Sequence, residues 1–351
     1  MQDKDKLIID LDDTITIDSS DKEYSNKAPN KKIRDTINKL HKKSFPITIF
    51  SARNMRSFEG NLEKINKITK PIAEKWLKDN EIYYNELIFG KPWAGPDGWY
   101  VDDKNLSLEE FIFKFSGPFA DKSFDVVVTC FNEGKNIGKT FESIKRLERL
   151  ININSYILIN NGSNDETKEV ITSLKKTEKK VRLIDLKSNE GYGGGLKQGL
   201  KECSSEYALI NHADGQFDAY SFIFSNMDSF EGNFDAVMPR RLNRSLTSNL
   251  LSMILRFVLC AIKLKKIPDF NGQPKILNIS KLKNISELPN DFSIDYCLFK
   301  IYEGRTIELP VIEKKRKEGE SSWKSHLFNW FFIFYRYIVT AISFKQEKFR
   351  R

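Results

Sequence analysis

Short apolar runs, each ending in a polar cluster and each followed by a stretch with helical spacing, repeat along this chain and constrain its fold more than any other feature. Leu7-Ile8-Ile9 runs into Asp10-Leu11-Asp12-Asp13-Thr14, Pro46 to Phe50 runs into Ser51, and Trp99-Tyr100-Val101 runs into Asp102-Asp103. Unbroken apolar runs suit strands buried on both faces, and open α/β sheets carry their sites at strand C-termini. Helical spacing over Ile33–Lys43 and a longer polar stretch through Trp76-Leu77 complete a βαβαβ pattern. Ser116-Gly117-Pro118 breaks the helix expected over Leu108–Phe115. A second series then opens with Phe124–Val128 and continues with Tyr156–Ile159, Val181–Ile184, Tyr207–Ile210 and Phe234–Val237. The fold class expected is α/β with two domains, residues 1–117 and 124–325, followed by an aromatic and basic tail, 326–351. A chain of 351 residues is long enough for two such cores.

The first polar set has the chemistry of phosphoryl transfer. Strand alternation points Asp10 and Asp12 to one side. Brought together with Asp102 or Asp103, they repel strongly unless a divalent cation joins them, and oxygen-only ligands favour Mg²⁺. A carboxylate can attack phosphorus, a lysine such as Lys91 can neutralise the phosphoryl charge, and a hydroxyl such as Ser51 can donate to it. In this order over residues 5–115, the set resembles the haloacid dehalogenase (HAD) superfamily. The resemblance implies a HAD-like Rossmannoid parallel sheet with Asp10 as nucleophile and Asp12 as general acid/base. It implies Ser51 and Lys91 on the phosphoryl group, and Asp10, Asp12, Asp102 and Asp103 around Mg²⁺. Phe89-Gly90-Lys91-Pro92-Trp93 followed by Trp99 to Asp103 looks like the small phosphatases encoded with capsule biosynthesis genes. The short insertions between motifs leave no room for a large cap domain. The substrate implied is a phosphorylated small molecule or sugar phosphate.

The second set is Thr129-Cys130-Phe131-Asn132-Glu133, Asn160-Asn161-Gly162-Ser163-Asn164-Asp165, Asn189 to Leu196 with its glycines, and His212-Ala213-Asp214-Gly215-Gln216. Glycines opening a helix allow close backbone approach and an N-terminus suited to an anion. From Phe124 to about residue 325 the chain resembles family 2 glycosyltransferases of the GT-A fold, especially those with polyprenyl-phosphate acceptors. The resemblance implies a nucleotide-sugar donor held by Thr129, Phe131, Glu133, Asn161, Ser163, Asp165, Gly191, Arg240 and Arg316. It implies a divalent cation, Mg²⁺ or Mn²⁺, on Asp214 and Gln216, in the place of an Asp-x-Asp motif whose first acid is here His212. His212 itself is read as a structural residue. Asp269, within Asp269 to Lys275, is the candidate general base or acceptor-positioning group. The segment Arg316 to Ser322 looks like a late basic loop that closes on the diphosphate. A nucleotidyltransferase would need a Gly-rich basic loop after the first strand, which Asn132 to Asn136 does not match.

Four widely spaced cysteines signal neither a disulfide framework nor a zinc site. The net charge of +9 concentrates toward the end, with ten Lys/Arg against four Asp/Glu from Val311 to Arg351. Beside the aromatic run from Phe328 to Tyr337, this excess suits an anionic membrane surface rather than nucleic acid, for which no motif appears. Arg336 in mid-segment argues against a spanning helix. An interfacial helix is expected, with Leu246–Ile262 as a second one or a core helix, and removal of 326–351 is expected to leave both domains folded. With no apolar leader, the expected location is cytoplasmic, peripheral on the inner face of the cell membrane. These expectations combine into a bifunctional enzyme of surface-polysaccharide biosynthesis with a lipid-linked or glycan acceptor. The alternative is a glycosyltransferase whose HAD-like domain only binds a ligand or partner.

Overall fold

The computed structural model describes residues 5–17, 23–95, 102, 104–243, 246–263, 267, 269–314, 316 and 327–350. The chain divides into two compact units, Met1–Ala120 and Asp121–Arg351.

In the first unit β1 (Leu7–Ile9), α1 (Lys31–Lys42), β2 (Ile47–Ser51), α2 (Leu62–Asp79), β3 (Glu86–Phe89) and α3 (Leu108–Ser116) form a parallel sheet in the order β1-β2-β3 with its helices. Ile9 aligns with Ile49, and Ser51 with Phe89, so the polar ends of the strands fall along one edge. Ile33, Ile37 and Leu40 of α1 and Ile65, Ala73, Trp76 and Leu77 of α2 recur at helical spacing and are buried against the strands. Ser107 caps α3 and forms a reciprocal capping box with Glu110. The sequence reading did not foresee β3, whose exposed and buried residues alternate in a four-residue strand. The strand expected at Trp99–Val101 lies outside the described residues, as does Asp103.

The second unit is built on a seven-stranded sheet of order β10-β8-β9-β7-β4-β5-β6. Its elements are β4 (Ser123–Cys130), α4 (Gly134–Lys145), β5 (Asn152–Asn161), α5 (Thr167–Thr177), β6 (Val181–Leu186), α6 (Gly191–Lys201), β7 (Tyr207–His212), α7 (Ala219–Ser225), β8 (Ala236–Leu242), α8 (Leu246–Lys263), β9 (Lys275–Asn278), α9 (Ile294–Ile301), β10 (Thr306–Ile312) and α10 (Leu327–Ser343). β9 runs antiparallel between β7 and β8, and all other pairings are parallel. The turns after β4, β5 and β7 therefore share one edge. Asp125, wholly buried on β4, anchors the opposite end of the strand. It accepts from Asn154 Nδ2, Ser155 Oγ and the backbone N–H groups of Ser204 and Ser205, at 2.7–2.9 Å. Burial alone would raise its pKa, but these four donors hold it below the ordinary carboxylate range.

α10 is not a separable tail. Tyr337, Ala341 and Phe349 are buried in the same core as β4, β5, β7 and α9. The Tyr337 hydroxyl lies 2.9 Å from Asn271 Oδ1 and 2.8 Å from the Phe292 carbonyl, Thr340 Oγ1 donates to Ser293 Oγ, and Arg336 pairs with Asp291 at 2.6 Å. The expectation that residues 326–351 can be removed without cost is corrected by these contacts: the aromatic residues that read as interfacial divide between a packed face and an exposed one. Leu255 and Leu259 bury one face of α8, whereas Met253, Ile254 and Phe257 are exposed on it, as are Phe331, Phe332, Tyr335 and Ile342 on the adjoining α10. Among the described residues no helix is long and apolar enough to cross a membrane.

Tyr337→Ala removes a fully buried ring and strands its polar partners, so it should lower the stability of the second unit by about 3–5 kcal/mol. Denaturant unfolding followed by a signal from that unit checks this, and an unchanged midpoint would contradict the packing described.

Candidate active site

At the strand ends of the first unit two carboxylates meet two cations. Asp10 Oδ1 accepts from its neighbour's N–H, Leu11 N, and Oδ2 lies 2.7 Å from Lys91 Nζ. Asp12 is gripped by the Arg53 guanidinium through both oxygens, Nε to Oδ2 at 3.1 Å and Nη2 to Oδ1 at 2.8 Å. Ser51 is buried, and its Oγ accepts from Arg53 N at 3.0 Å. Lys91 N donates to the Ser51 carbonyl at 3.3 Å. The structure thus brings together Asp10, Asp12, Ser51 and Lys91, and adds Arg53, which sequence reading missed although it lies two residues beyond Ser51. Asp102 is exposed and accepts from Lys104 N at 2.7 Å. Among the described residues no three His, Cys, Asp or Glu side chains form a metal-holding group.

In the second unit the site lies on the edge formed by the turns after β4, β5 and β7. The β4 and β5 turns are tied to each other. Asn132, at φ 56°, receives Asn164 N on its Oδ1 and donates its own N–H to Ser163 Oγ, while Asp165 accepts from Gly134 N and from both donors of Thr167. Burial tends to raise the Asp165 pKa, but Thr167 and Gly134 hold it below its ordinary value. Asn161 is buried. It donates to Asn189 Oδ1 and the Gly191 carbonyl and accepts from Glu190 N, which fixes the turn that opens α6. Gly191 has φ 79°, and a Cβ there would stand 2.5 Å from the Asn290 carbonyl oxygen, so only glycine fits. Asn161, Ser163 and Asp165, expected on the nucleotide, are thus occupied in holding the turns.

Glu133 is where distant parts of the chain meet. Its Oε1 lies 2.6 Å from Arg316 Nη2 and its Oε2 accepts from Asn136 Nδ2. Burial raises the Glu133 pKa, Asn136 and Arg316 oppose that, and the charge of Asp214 adds to it. Arg316 therefore stands where the late basic segment was expected, while residues 317–325 lie outside the described ones. Thr129 is aligned with His212 across β4 and β7. Phe131 is exposed at the same edge.

The His212 turn shows two departures from expectation. Gln216, read as a metal ligand, donates its side-chain amide to the Lys314 carbonyl at 3.3 Å and its backbone N–H to Asp214 Oδ1, so it braces the turn. His212 Nδ1 lies 3.9 Å from Asp214 Oδ2, and its Nε2 is buried with no hydrogen-bond partner among the described residues. Burial lowers its pKa, with the charge of Asp214 opposing.

Behind this turn lies a charge network that the sequence did not reveal. Lys275 is fully buried and pairs with Asp295 at 3.0 Å. It also donates to the Gly272 carbonyl, and the correctly oriented Gln273 amide accepts from it at 3.0 Å while donating to the Ile210 carbonyl. Tyr192, from the glycine turn, donates to the Gln273 amide oxygen at 2.9 Å, with Asp295 Oδ1 3.4 Å from its hydroxyl. Its ring stacks on Phe292 and meets His212 edge-on at 5.6 Å. Burial pushes the Lys275 ammonium below its ordinary pKa, with Asp295 opposing.

Two further residues change roles. Alternation along β8 exposes Arg240 and turns Arg241 inward, where its Nε and Nη2 each meet an oxygen of buried Asp269 at 2.8 Å. Arg240, expected on the donor, is the exposed member of this pair. Asp269, buried to 8% side-chain exposure with both oxygens held by a guanidinium, fits a holding role rather than that of general base.

The model of the glycosyl transferase family 2 domain matches residues 125–301, just over half of the chain. The chain belongs to glycosyl transferase family 2. The CsbB protein of Bacillus subtilis is 27% identical over 213 residues, covering 58% of this chain and 63% of its own. The poly-beta-1,6-N-acetyl-D-glucosamine synthase of Staphylococcus epidermidis is 27% identical over 208 residues, covering 58% of this chain and 46% of its own. The chain thus spans between about half and two thirds of the length of these family 2 relatives. The fold is shared with glucosyl-3-phosphoglycerate synthase from Mycobacterium tuberculosis, solved with Mn²⁺, UDP-glucose and phosphoglyceric acid. That match has a TM-score of 0.50 at 14% identity and covers 70% of this chain and 85% of the synthase.

Asp269→Asn separates the two roles for this residue. A holding role predicts a loss of about 3–5 kcal/mol of stability, because the buried Arg241 loses its counter-charge. A general base predicts full stability with transfer reduced by orders of magnitude. Unfolding and sugar-transfer rates measured on the same variant decide between them.

Proposed function

We propose that the second unit transfers a sugar from a nucleotide-sugar donor. The observation that carries this reading is the convergence of Glu133, Arg316 and Asp214 beside the glycine-opened N-terminus of α6, on one edge of a family 2 sheet. Arg316 would meet the diphosphate as a cation. Asp214, with His212 Nδ1 beside it, would hold a divalent cation, and an oxygen–nitrogen pair suits Mn²⁺ better than Mg²⁺. Such a cation would supply positive charge against the departing diphosphate. In the transfer the bond from the anomeric carbon to the diphosphate breaks, an acceptor oxygen bonds to that carbon, and the nucleoside diphosphate departs. An anionic phosphate oxygen attacks without a general base. With Asp269 committed to Arg241, this favours a polyprenyl-phosphate acceptor over a glycan hydroxyl. The synthase name borne by the Staphylococcus epidermidis relative supports a place in surface-polysaccharide assembly.

The first unit is proposed as a HAD-type phosphatase, supported by the paired ion contacts at Asp10 and Asp12. Asp10 would attack phosphorus while the ester oxygen leaves with a proton from Asp12. Water would then attack the aspartyl-phosphate, giving its proton to Asp12 and freeing Asp10 and phosphate. Lys91 and Ser51 would hold the phosphoryl oxygens. Mg²⁺ would be held by the Asp10 carboxylate, the donor type it takes, and would supply charge against the transferring group, while Asp12 keeps its carboxyl for proton transfer. The exposed apolar faces of α8 and α10 support docking on the cytoplasmic face of the membrane, where a lipid-linked acceptor would lie.

The two activities should be separable. Asp214→Ala should abolish nucleotide release from the donor and spare phosphatase activity, and Asp10→Asn should do the reverse, each by at least about a hundredfold. Transfer by Asp214→Ala at the wild-type rate would sink the donor-site assignment.

Phe257→Asp combined with Phe331→Asp should remove the protein from anionic vesicles in a flotation assay while leaving its unfolding midpoint within a few degrees. Undiminished flotation would reject the docking face.

A further inference from the structure

Beside the carboxylate pair of the first unit lies a cleft of about 390 Å³, lined by Glu23, Tyr24, Ser25, Arg53, Asn54, Thr69 and Ile72. This is toward the small end of the roughly 300–1,000 Å³ typical of small-molecule sites. Arg53 belongs to both places. One edge of its guanidinium grips Asp12, its plane lies over the Tyr24 ring at 4.3 Å, and its side chain is fully buried. Its remaining nitrogen, Nη1, has no hydrogen-bond partner among the described residues. A buried guanidinium N–H without an acceptor is costly. Evolution tolerates that cost where a ligand oxygen completes the bond.

The rest of the lining narrows the ligand. Asn54 is held at φ 61°, in the left-handed region that asparagine tolerates better than most residues. Thr69 Oγ1 donates to Asn54 Oδ1 at 3.2 Å, which leaves the amide N–H groups as donors. Ser25 adds a hydroxyl, and Ile72 supplies an apolar wall. The Arg53 charge is already balanced by Asp12, and Glu23 at the rim repels a second anion. Arg53 covers one face of the Tyr24 ring and Lys27 Nζ lies 5.6 Å from its centre, so an aryl group or a base stacking there competes with two cations.

We propose that this cleft is the leaving-group subsite of the phosphatase, and that it takes a neutral, hydroxylated group: the substrate is a sugar or polyol phosphate monoester. Arg53 Nη1 and the Asn54 amide donate to ligand hydroxyl oxygens, while Arg53 keeps Asp12 in place beside the ester oxygen. The inference rests on the phosphatase reading of Asp10 and Asp12.

The test uses the full chain carrying Asp10→Asn, titrated calorimetrically in Mg²⁺ with glucose 6-phosphate, glycerol 3-phosphate, phenyl phosphate and inorganic phosphate. The subsite predicts that one of the two hydroxylated esters binds at least tenfold more tightly than phenyl phosphate. It predicts that adding Ile72→Trp, which fills the cleft from an exposed helix position, brings that ratio close to one. Adding Arg53→Lys, which keeps the charge but loses the Nη1 donor, should lower the ratio as well. Equal binding of phenyl phosphate, no binding of either hydroxylated ester, or a ratio that Ile72→Trp does not move would overturn the subsite. Hydrolysis by the wild-type chain separates this from the parent reading. Selective binding of a hydroxylated ester without hydrolysis of any ester supports the subsite and refutes the phosphatase. Hydrolysis of phenyl phosphate and both hydroxylated esters at equal efficiency, unaffected by Ile72→Trp, refutes the subsite and leaves the phosphatase standing.

Discussion

The transferase site depends on a single buried ion pair, Lys275 with Asp295. An ammonium with no access to water is tolerated only if every donor is met, and here all three are: by Asp295, by the Gly272 carbonyl and by the Gln273 amide. The partners belong to different elements. Lys275 opens β9, Asp295 lies on α9, Gln273 reaches back to the Ile210 carbonyl on β7, and Tyr192 brings in the first turn of α6. Replacing such a pair by matched apolar residues is often neutral for stability, whereas removing one partner costs about 3–5 kcal/mol. Its value here lies in placement. The network fixes where the glycine turn, the His212 turn and the segment from Asp269 to Lys275 stand relative to one another.

The same device recurs at other strand ends. Lys91 holds Asp10, Arg53 holds Asp12, Arg241 holds Asp269 and Arg316 holds Glu133. Each pair joins residues far apart in the chain, by 183 positions for Arg316 and Glu133. Each fixes an acid that chemistry could use while preventing the repulsion that clustered carboxylates would create. Burial, more than the ion pair, tells the roles apart. Arg241 and Arg53 each take both oxygens of their acid, but Asp269 keeps only 8% of its side chain exposed, against 24% for Asp12 and 30% for Asp10.

Much of this was legible in the sequence because strand ends announce themselves. Ser51, Glu133 and Asp214 follow apolar runs that bury on both faces, Asp10 follows one that leaves Ile8 exposed, and the structure finds each at the end of a strand or in the turn just beyond it. What was not legible has physical reasons. β3 and β9 have four residues each, too few for periodicity to register, and β9 begins with a lysine whose burial only Asp295, twenty residues on, makes tolerable. Which of Arg240 and Arg241 turns inward is a matter of strand register. α10 reads as an interfacial helix from its aromatic residues, yet the partners of Tyr337 and Thr340 come from chain segments some fifty residues earlier. Composition shows that a helix has two faces, but tertiary contacts decide which one is packed.

The account stands on the second unit being a nucleotide-sugar site that Arg316 completes. The most direct measurement is the thermal unfolding midpoint of the intact chain with a panel of nucleotide sugars and Mn²⁺, compared with the corresponding sugar 1-phosphates. The account predicts that at least one nucleotide sugar raises the midpoint by several degrees, that the matching sugar 1-phosphate does not, and that Arg316→Ala abolishes the shift. A panel in which no nucleotide sugar shifts the midpoint, or a shift that survives Arg316→Ala undiminished, would contradict it.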